Sequence, residues 1–276
     1  MNTQPASAAA DESLRAFVAA YPRLFVLTGA GISTDSGIPD YRDGQGAWKR
    51  SPPMTLQMFM SGEPARARYW ARGMIGWSHF SAVRPNAAHR ALARMEREGR
   101  VELLLTQNVD GLHEAAGSLN VVDLHGRLDR VRCMQCGDIT PRETMQARLR
   151  EANPDWLDLQ ASVAPDGDAD LDGVDFASFH VPPCSVCGGV LKPDVVFFGE
   201  NVPRARVDTA WAHLARADAM LVVGSSLMVY SGYRFVLEAS RRGLPIASLN
   251  IGVTRADALI GLKIERSVTE ALAPFA

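Results

Sequence analysis

The chain has 276 residues, 47% of them hydrophobic, with 29 Lys and Arg against 31 Asp and Glu for a formal net charge of -2. That length and composition suit one substantial buried core with a smaller lobe and exclude a disordered tail. The near-neutral balance excludes the broad basic field of a dedicated nucleic-acid binder.

The Ala-rich start carries Asp11 and Glu12 and lacks a basic region followed by an apolar core, so it reads as no signal or transit peptide. No apolar run approaches membrane-spanning length. All four cysteines fall in two Cys-x-x-Cys pairs, a usage that suits a reducing compartment, and the expectation is a soluble, cytoplasmic protein.

Along the chain, an apolar run at 24–27 ends in Thr28-Gly29-Ala30-Gly31-Ile32-Ser33, which predicts a buried strand, a tight glycine turn and then a helix. Residues 43–85 mix Gly, Pro and Met with Trp48, Phe59, Tyr69, Trp70, Trp77 and Phe80 at partly helical spacing, predicting an inserted helical lobe. The strand rhythm recurs at 101–105, running into Thr106-Gln107-Asn108; at 219–223, into Gly224-Ser225-Ser226; and at 245–249, into Asn250-Ile251-Gly252. Helix-length stretches at 86–98 and 204–216 separate these strands, the alternation of a parallel sheet covered on both faces. Residues 131–188 hold the cysteine pairs and form a second insertion. Polar loops then collect beyond the carboxyl ends of the strands, where open α/β sheets bind ligands.

Gly29-Ala30-Gly31 lets backbone amides approach a phosphate. Thr34 stands where a dinucleotide fingerprint would have a third glycine, so the short motif alone also fits an ordinary turn. Each cysteine pair, Cys133 with Cys136 and Cys184 with Cys187, is followed by a glycine, and two such knuckles make a closed four-sulphur site for structural zinc rather than a redox pair. Asp168-Ala169-Asp170-Leu171-Asp172-Gly173 opens like a calcium loop, but Phe179 stands where the bidentate Glu belongs, so it reads as a solvated acidic loop.

The longer string Gly29-Ala30-Gly31-Ile32-Ser33-Thr34-Asp35-Ser36-Gly37-Ile38-Pro39-Asp40-Tyr41-Arg42 resembles the NAD-binding signature of the sirtuins. Thr106-Gln107-Asn108-Val109-Asp110-Gly111-Leu112-His113, His125-Gly126, Phe198-Gly199-Glu200, Gly224-Ser225-Ser226-Leu227 and Leu249-Asn250-Ile251-Gly252 follow in family order, from about residue 20 to 271. The spelling of 38–42, 164–168 and 192–200 resembles the lipoamidase-type class. No Tyr/Arg pair of the desuccinylase class follows Gly31.

The resemblance implies an α/β fold: a discontinuous Rossmann-like NAD-binding domain (12–42, 86–130 and 189–276) and a small domain from the helical (43–85) and zinc-binding (131–188) insertions. It implies NAD as co-substrate, one structural zinc, and acyl-lysine proteins or peptides as partners, with no membrane and no specific nucleic acid. The implied reaction is NAD-dependent lysine deacylation: the amide oxygen attacks the ribose carbon bearing nicotinamide, a base then deprotonates a ribose hydroxyl, and the products are lysine, nicotinamide and O-acyl-ADP-ribose.

His125 matches the general base, and an imidazole titrating near neutrality suits that work. Gln107, Asn108, Val109 and Asp110 match the loop that orients the nicotinamide ribose and carboxamide; read alone they serve equally as loop caps. Ser33, Asp40, Tyr41 and Arg42 match cofactor contacts on the nicotinamide and phosphate side, Gly224, Ser225 and Ser226 the other phosphate region, and Asn250, Ile251 and Gly252 the adenosine half. Val268 matches a final backbone contact, although for it and Ile251 an ordinary turn role stays open. Phe198, Gly199 and Glu200, after Phe197, suggest an extended edge to which an acyl-peptide adds as a strand. His113 fits a loop-holding role, and His79, His89, His180 and His213 read as structural or surface residues. Protein mono-ADP-ribosyl transfer shares the same cofactor pocket and is the alternative activity. A non-catalytic zinc nucleic-acid binder fits the neutral charge poorly, and a nicotinamide dehydrogenase needs no cysteine insertion. The loop at 164–174 is expected to help select the acyl chain, with neutral acyl groups preferred over succinyl.

Overall fold

The computed structural model describes residues 4–49, 53–157 and 174–276. The acidic loop at 168–173 lies outside the described residues, as does all of 164–174 but its last residue.

Helix α1 (Gln4–Ala20) leads to β1 (Leu24–Thr28), every residue of which is buried. Then come α2 (Leu56–Met60), α3 (Glu63–Phe80) and α4 (Ala87–Arg97), followed by β2 (Val101–Thr106), α5 (Leu112–Ala115), β3 (Val121–Asp123), β4 (Gly126–Cys133), β5 (Ile139–Pro141) and α6 (Arg142–Ala152). The chain ends with β6 (Leu191–Val195), α7 (Arg204–Leu214), β7 (Ala219–Val223), α8 (Tyr230–Arg241), β8 (Ile246–Leu249), β9 (Leu262–Ile264) and α9 (Val268–Leu272).

Six strands form a parallel sheet in the order β3-β2-β1-β7-β8-β9. Because side chains alternate along a strand, a strand buried on both faces must be apolar throughout, and β1 divides its residues accordingly. Leu24 and Val26 pack with Leu14 and Val18 of α1, Leu92 and Met95 of α4 and Leu272 of α9. Phe25 and Leu27 pack on the other face with Leu214 of α7 and Phe235 and Val236 of α8. Helix α4 shows how local sequence serves this: Ala88, Ala91, Leu92 and Met95 form its buried stripe, and the Asn86 side chain caps it by accepting from the N–H groups of Ala88 (2.9 Å) and His89 (3.3 Å). The strand order reverses at β1, with β2 on one side and β7 on the other, so a crevice opens beyond the carboxyl ends of β1 and β7.

A second, three-stranded antiparallel sheet, β5-β4-β6, packs with α2, α3 and α6 around Phe59, Trp70, Met145, Leu149 and Phe179. Its ladder crosses the boundaries read from the sequence, since β4 starts at Gly126 and β6 at Leu191. The antiparallel pair of β4 and β6 carries the chain out to the cysteine module and back.

The glycine turn after β1 departs from expectation. Instead of opening an α-helix, residues 30–32 and 34–36 make two successive 3-10 turns that stop at Gly37, whose φ is +93°. Pro39 disfavours helical backbone at Ile38, and Thr34 Oγ1 donates to Gly31 O (3.1 Å), so local bonds replace the helical ladder. No helix among the described residues is long and apolar enough to cross a membrane.

Candidate active site

The crevice is a cleft of about 890 Å³. Its floor is made by the ends of the four central strands. Gly29, Ala30, Gly31 and Ser33 follow β1; Gln107, Asn108, Val109 and Asp110 follow β2; Gly224, Ser225 and Ser226 follow β7; Asn250 and Ile251 follow β8. Asp40, Tyr41, Arg42, His125, Phe198, Gly199 and Glu200 complete the walls. Three residues singled out in the sequence do not line it. Ile32 and Val268 are buried in the core beneath, and Gly252 turns away at φ +87°, with Val253 N donating to Gly44 O (2.9 Å).

The two glycine turns touch. Gly31 N–H donates to Gly224 O at 2.8 Å, and a Cβ on Gly224, whose φ is +60°, would stand 2.6 Å from Gly31 C. Only glycine permits that approach with that backbone.

Hydrogen bonds order the polar residues. Thr28 Oγ1 donates to Thr106 Oγ1 (2.8 Å), which also receives the N–H of Asn108 (3.1 Å). Since that hydroxyl proton is committed, His113 donates Nε2–H to Thr28 Oγ1 (3.0 Å), and the buried His113 ring meets His89 at a tilt of 54° with centroids 4.8 Å apart. Gln107 Nε2 donates to Ser225 Oγ (2.8 Å) and Thr28 O (3.2 Å), bridging the ends of β1 and β7. Asn108 Nδ2 donates to Ser33 Oγ (3.0 Å), Ser33 Oγ to Asp110 Oδ2 (2.7 Å), and Leu112 N to Asp110 Oδ1 (2.9 Å). Burial raises the pKa of Asp110 against those donors, which favour the ionised form.

His125 precedes β4. A carbonyl only accepts, so the 2.9 Å contact with Gln107 O fixes the imidazole proton on Nδ1, leaving Nε2 as an acceptor for Ser231 Oγ–H at 2.7 Å. Burial, reinforced by the nearby positive charges of Arg206 and Arg234, pulls its pKa down to about 4, with the Gln107 hydrogen bond acting the other way. The sequence predicted titration near neutrality; the surroundings keep the ring neutral well below that. Ser231, in the first turn of α8, is a cleft residue that sequence reasoning missed, and no spacing signal marks the segment Tyr230-Ser231-Gly232.

At the mouth, the Arg42 guanidinium lies 3.9 Å from the Trp48 ring centroid and donates to Gly46 O (2.7 Å), while Lys49 pairs with Asp40. Trp48 meets Phe198 edge-on at 5.6 Å. Phe198 pairs with Thr55 as a parallel β-bridge, and the chain then turns at Gly199 and Glu200 instead of running on as an extended edge. Leu56 N donates to Phe198 O (2.9 Å), Glu200 N to Phe197 O (3.0 Å), and the Glu200 carboxylate holds both Phe197 N (2.9 Å) and Lys192 Nζ (3.0 Å). The backbone bends because Gly199 adopts φ +78°.

Away from the cleft the four cysteines converge, each unoxidised, with their sulphurs within 4.8 Å of one another. Cys133 and Cys187 are 3.5 Å apart at sulphur, Cys136 and Cys184 3.8 Å. A tetrahedral zinc with sulphur at 2.3 Å separates its ligands by about 3.8 Å, so the set fits zinc. Each pair is a matching turn: Gly137 N donates to Cys133 O (3.1 Å) and Gly188 N to Cys184 O (2.8 Å). Four sulphurs fill a tetrahedron and leave no open position for chemistry.

The sequence model of the Sir2 family matches residues 29–231. The chain is 64% identical over 262 residues to an NAD-dependent protein deacetylase of Bordetella bronchiseptica, covering 95% of this chain and 96% of that one. It is 63% identical over 264 residues to NAD-dependent protein deacetylase 2 of Bradyrhizobium diazoefficiens, covering 96% and 97%. Among solved structures, a Sir2 complex with p53 peptide and NAD⁺ superposes with a TM-score of 0.75 at 30% identity, over 95% of both chains. Sir2Tm bound to a propionylated peptide gives 0.74 at 29% identity, again over 95% of both. With its crevice at the strand reversal, its four-cysteine module and a family match over most of its length, this chain belongs to the Sir2 family.

Proposed function

We propose that the protein is an NAD-dependent protein-lysine deacylase, with deacetylation as its core activity, releasing nicotinamide, O-acyl-ADP-ribose and free lysine. The observation that carries this reading is the pairing of a neutral, tautomer-fixed His125 with the Asn108–Ser33–Asp110 chain in one cleft. The relatives named as protein deacetylases support it, as do the related structures holding NAD⁺ or an acylated peptide.

In this reading His125 accepts the proton of a ribose hydroxyl through its Nε2 side, while Asn108 and Asp110, with Gln107 behind them, orient the nicotinamide ribose. The turns at 29–31 and 224–226 and the guanidinium of Arg42 receive the phosphates, Asn250 and Ile251 receive the adenosine half, and Gly252 and Val268 shape that end from behind. The turn 198–200 meets the peptide. Cys133, Cys136, Cys184 and Cys187 would hold one zinc as a cross-link of the small lobe, far from bond cleavage. The apolar wall of Ile38, Phe80, Leu128 and Val195 supports a neutral acyl chain, and with the spelling of 38–42 and 192–200 it favours the lipoamidase-type class. Cysteine usage confined to two Cys-x-x-Cys pairs suits a reducing compartment and so the cytoplasm.

The test is incubation with NAD⁺ and a panel of acyl-lysine peptides, with products identified by mass spectrometry. We expect nicotinamide release only with acyl-peptide, one O-acyl-ADP-ribose per lysine freed, and loss of net deacylation in His125→Ala. ADP-ribose added to a protein acceptor, with no deacylated peptide, would refute the reading in favour of mono-ADP-ribosyl transfer.

A further inference from the structure

Because Nδ1 of His125 is committed to Gln107 O, the ring can take a proton only at Nε2, and there Ser231 Oγ already sits at 2.7 Å. A hydroxyl has one proton and two lone pairs, so a serine donating to the imidazole can accept from another hydroxyl at the same time. Ser231 lies in the first turn of α8, a helix of 12 residues, where unpaired N–H groups favour negative charge on a nearby oxygen. Arg234 Nε donates to Ser231 O (3.0 Å) from within the same helix, tying down the backbone that carries the hydroxyl. Ser231 and His125 both line the cleft beside Gln107 and Asn108.

We propose that Ser231 is a catalytic proton relay between the ribose hydroxyl and His125, an inference that rests on the deacylase reading above. In that step the ribose O–H bond breaks and its proton passes to Ser231 Oγ, while the proton of Ser231 passes to Nε2. The ribose oxygen keeps the electron pair with which it attacks the acyl carbon. Ser231 ends neutral, and His125 ends as an imidazolium whose Nδ1–H stays on Gln107 O. The competing arrangement has the ribose hydroxyl displace Ser231 and reach Nε2 directly.

Single-turnover deacylation and nicotinamide exchange, the latter reporting the chemistry before the base acts, separate the two. Ser231→Ala should slow O-acyl-ADP-ribose formation by roughly 100-fold, the lower end of what a positioned proton-transfer group contributes, with a much smaller change in exchange. Ser231→Thr, which restores the hydroxyl, should recover most of the rate. In mixtures of H₂O and D₂O the wild type should give a bowed rate profile, with two protons moving together, and Ser231→Ala a straight one. A Ser231→Ala enzyme as fast as wild type, or one that loses exchange and deacylation equally with an unchanged isotope profile, would overturn the relay. A wild type with no NAD⁺-dependent chemistry would instead overturn the deacylase reading itself.

Discussion

Substituting Gly224 by alanine tests whether the contact between the two glycine turns holds the cofactor end of the cleft. At φ +60° an alanine costs about 1–2 kcal/mol through its Cβ. That Cβ would also meet Gly31 C at 2.6 Å, forcing apart the Gly31 N–H to Gly224 O bond of 2.8 Å, worth about 1 kcal/mol. The sum, about 2–3 kcal/mol, corresponds to a fall in Tm of roughly 4–12 °C for a domain of this class. Two neighbours dissect the effect. Gly37→Ala bears only the backbone cost, since φ is +93° and no atom lies within 4 Å, whereas Gly31→Ala bears only the collision, at 2.9 Å from Gly224 O. Thermal melts of the three variants with and without NAD⁺ provide the assay. Gly37→Ala should lose a few degrees and keep the stabilisation by NAD⁺; Gly224→Ala should lose the most and forfeit that stabilisation. A Gly224→Ala protein melting within about 1 °C of wild type, with its NAD⁺ response intact, would refute the reasoning.

Burial holds His125 and His89 at about 4 when folded, against 6.5 for the free side chain. At these two side chains the unfolded chain therefore binds more protons between those values, so their contribution, about 3 kcal/mol per histidine, is full above pH 6.5 and lost toward pH 4, while the raised carboxyls of Asp110 and Asp123 work the opposite way; a difference in urea midpoint between wild type and His89→Gln that stays constant from pH 7 to pH 5 would contradict this. Metal analysis should find one zinc per chain, and Cys184→Ser should aggregate rather than show a clean kinetic defect, because Cys133 and Cys184 are part of the small-lobe core with Trp70 and a structural zinc contributes on the order of 10 kcal/mol. Stable, metal-free protein with normal activity would sink that assignment. Ser33→Ala breaks the link between Asn108 and Asp110, a hydrogen bond to a charged group worth about 1.5–3 kcal/mol, so kcat/KM should fall by roughly 10- to 150-fold; steady-state kinetics with a change under twofold would deny Ser33 that role.

The strands of the large sheet were legible because burial on both faces forces uninterrupted apolar runs such as 24–27 and 219–223. The edge strands β3 and β9 are only three residues each and, Ile264 apart, partly exposed, so they leave no such run. Of the residues gathered in the cleft, those at 29–33, 107–110, 224–226 and 250–251 were legible as polar loops beyond strand ends, whereas their roles, and the places of His125 and of 40–42, rest on the resemblance to the sirtuins. Ser231 was not, since its contact with His125 joins positions 106 residues apart and leaves no trace in spacing. The extended edge expected at 197–200 holds only at Phe198, which bridges Thr55, because Gly199 and the Lys192–Glu200 pair bend the chain after it. The titration of His125 was misjudged for a similar reason: composition carries no record of how deeply a ring will be enclosed.

The partner that sets the tautomer of His125 is a main-chain oxygen, which belongs to no particular amino acid. Any residue at position 107 that keeps the backbone path would still present it, so side-chain scanning at that position reports on the Ser225 bridge and is blind to the proton's address. Chemical synthesis reaches what genetics cannot: an ester in place of the amide between residues 107 and 108 weakens that carbonyl as an acceptor, and since it also removes the Asn108 N–H bond to Thr106 Oγ1, a Thr106→Val protein, which loses that bond but keeps the amide carbonyl, is the control that isolates the hold of Gln107 O on the ring.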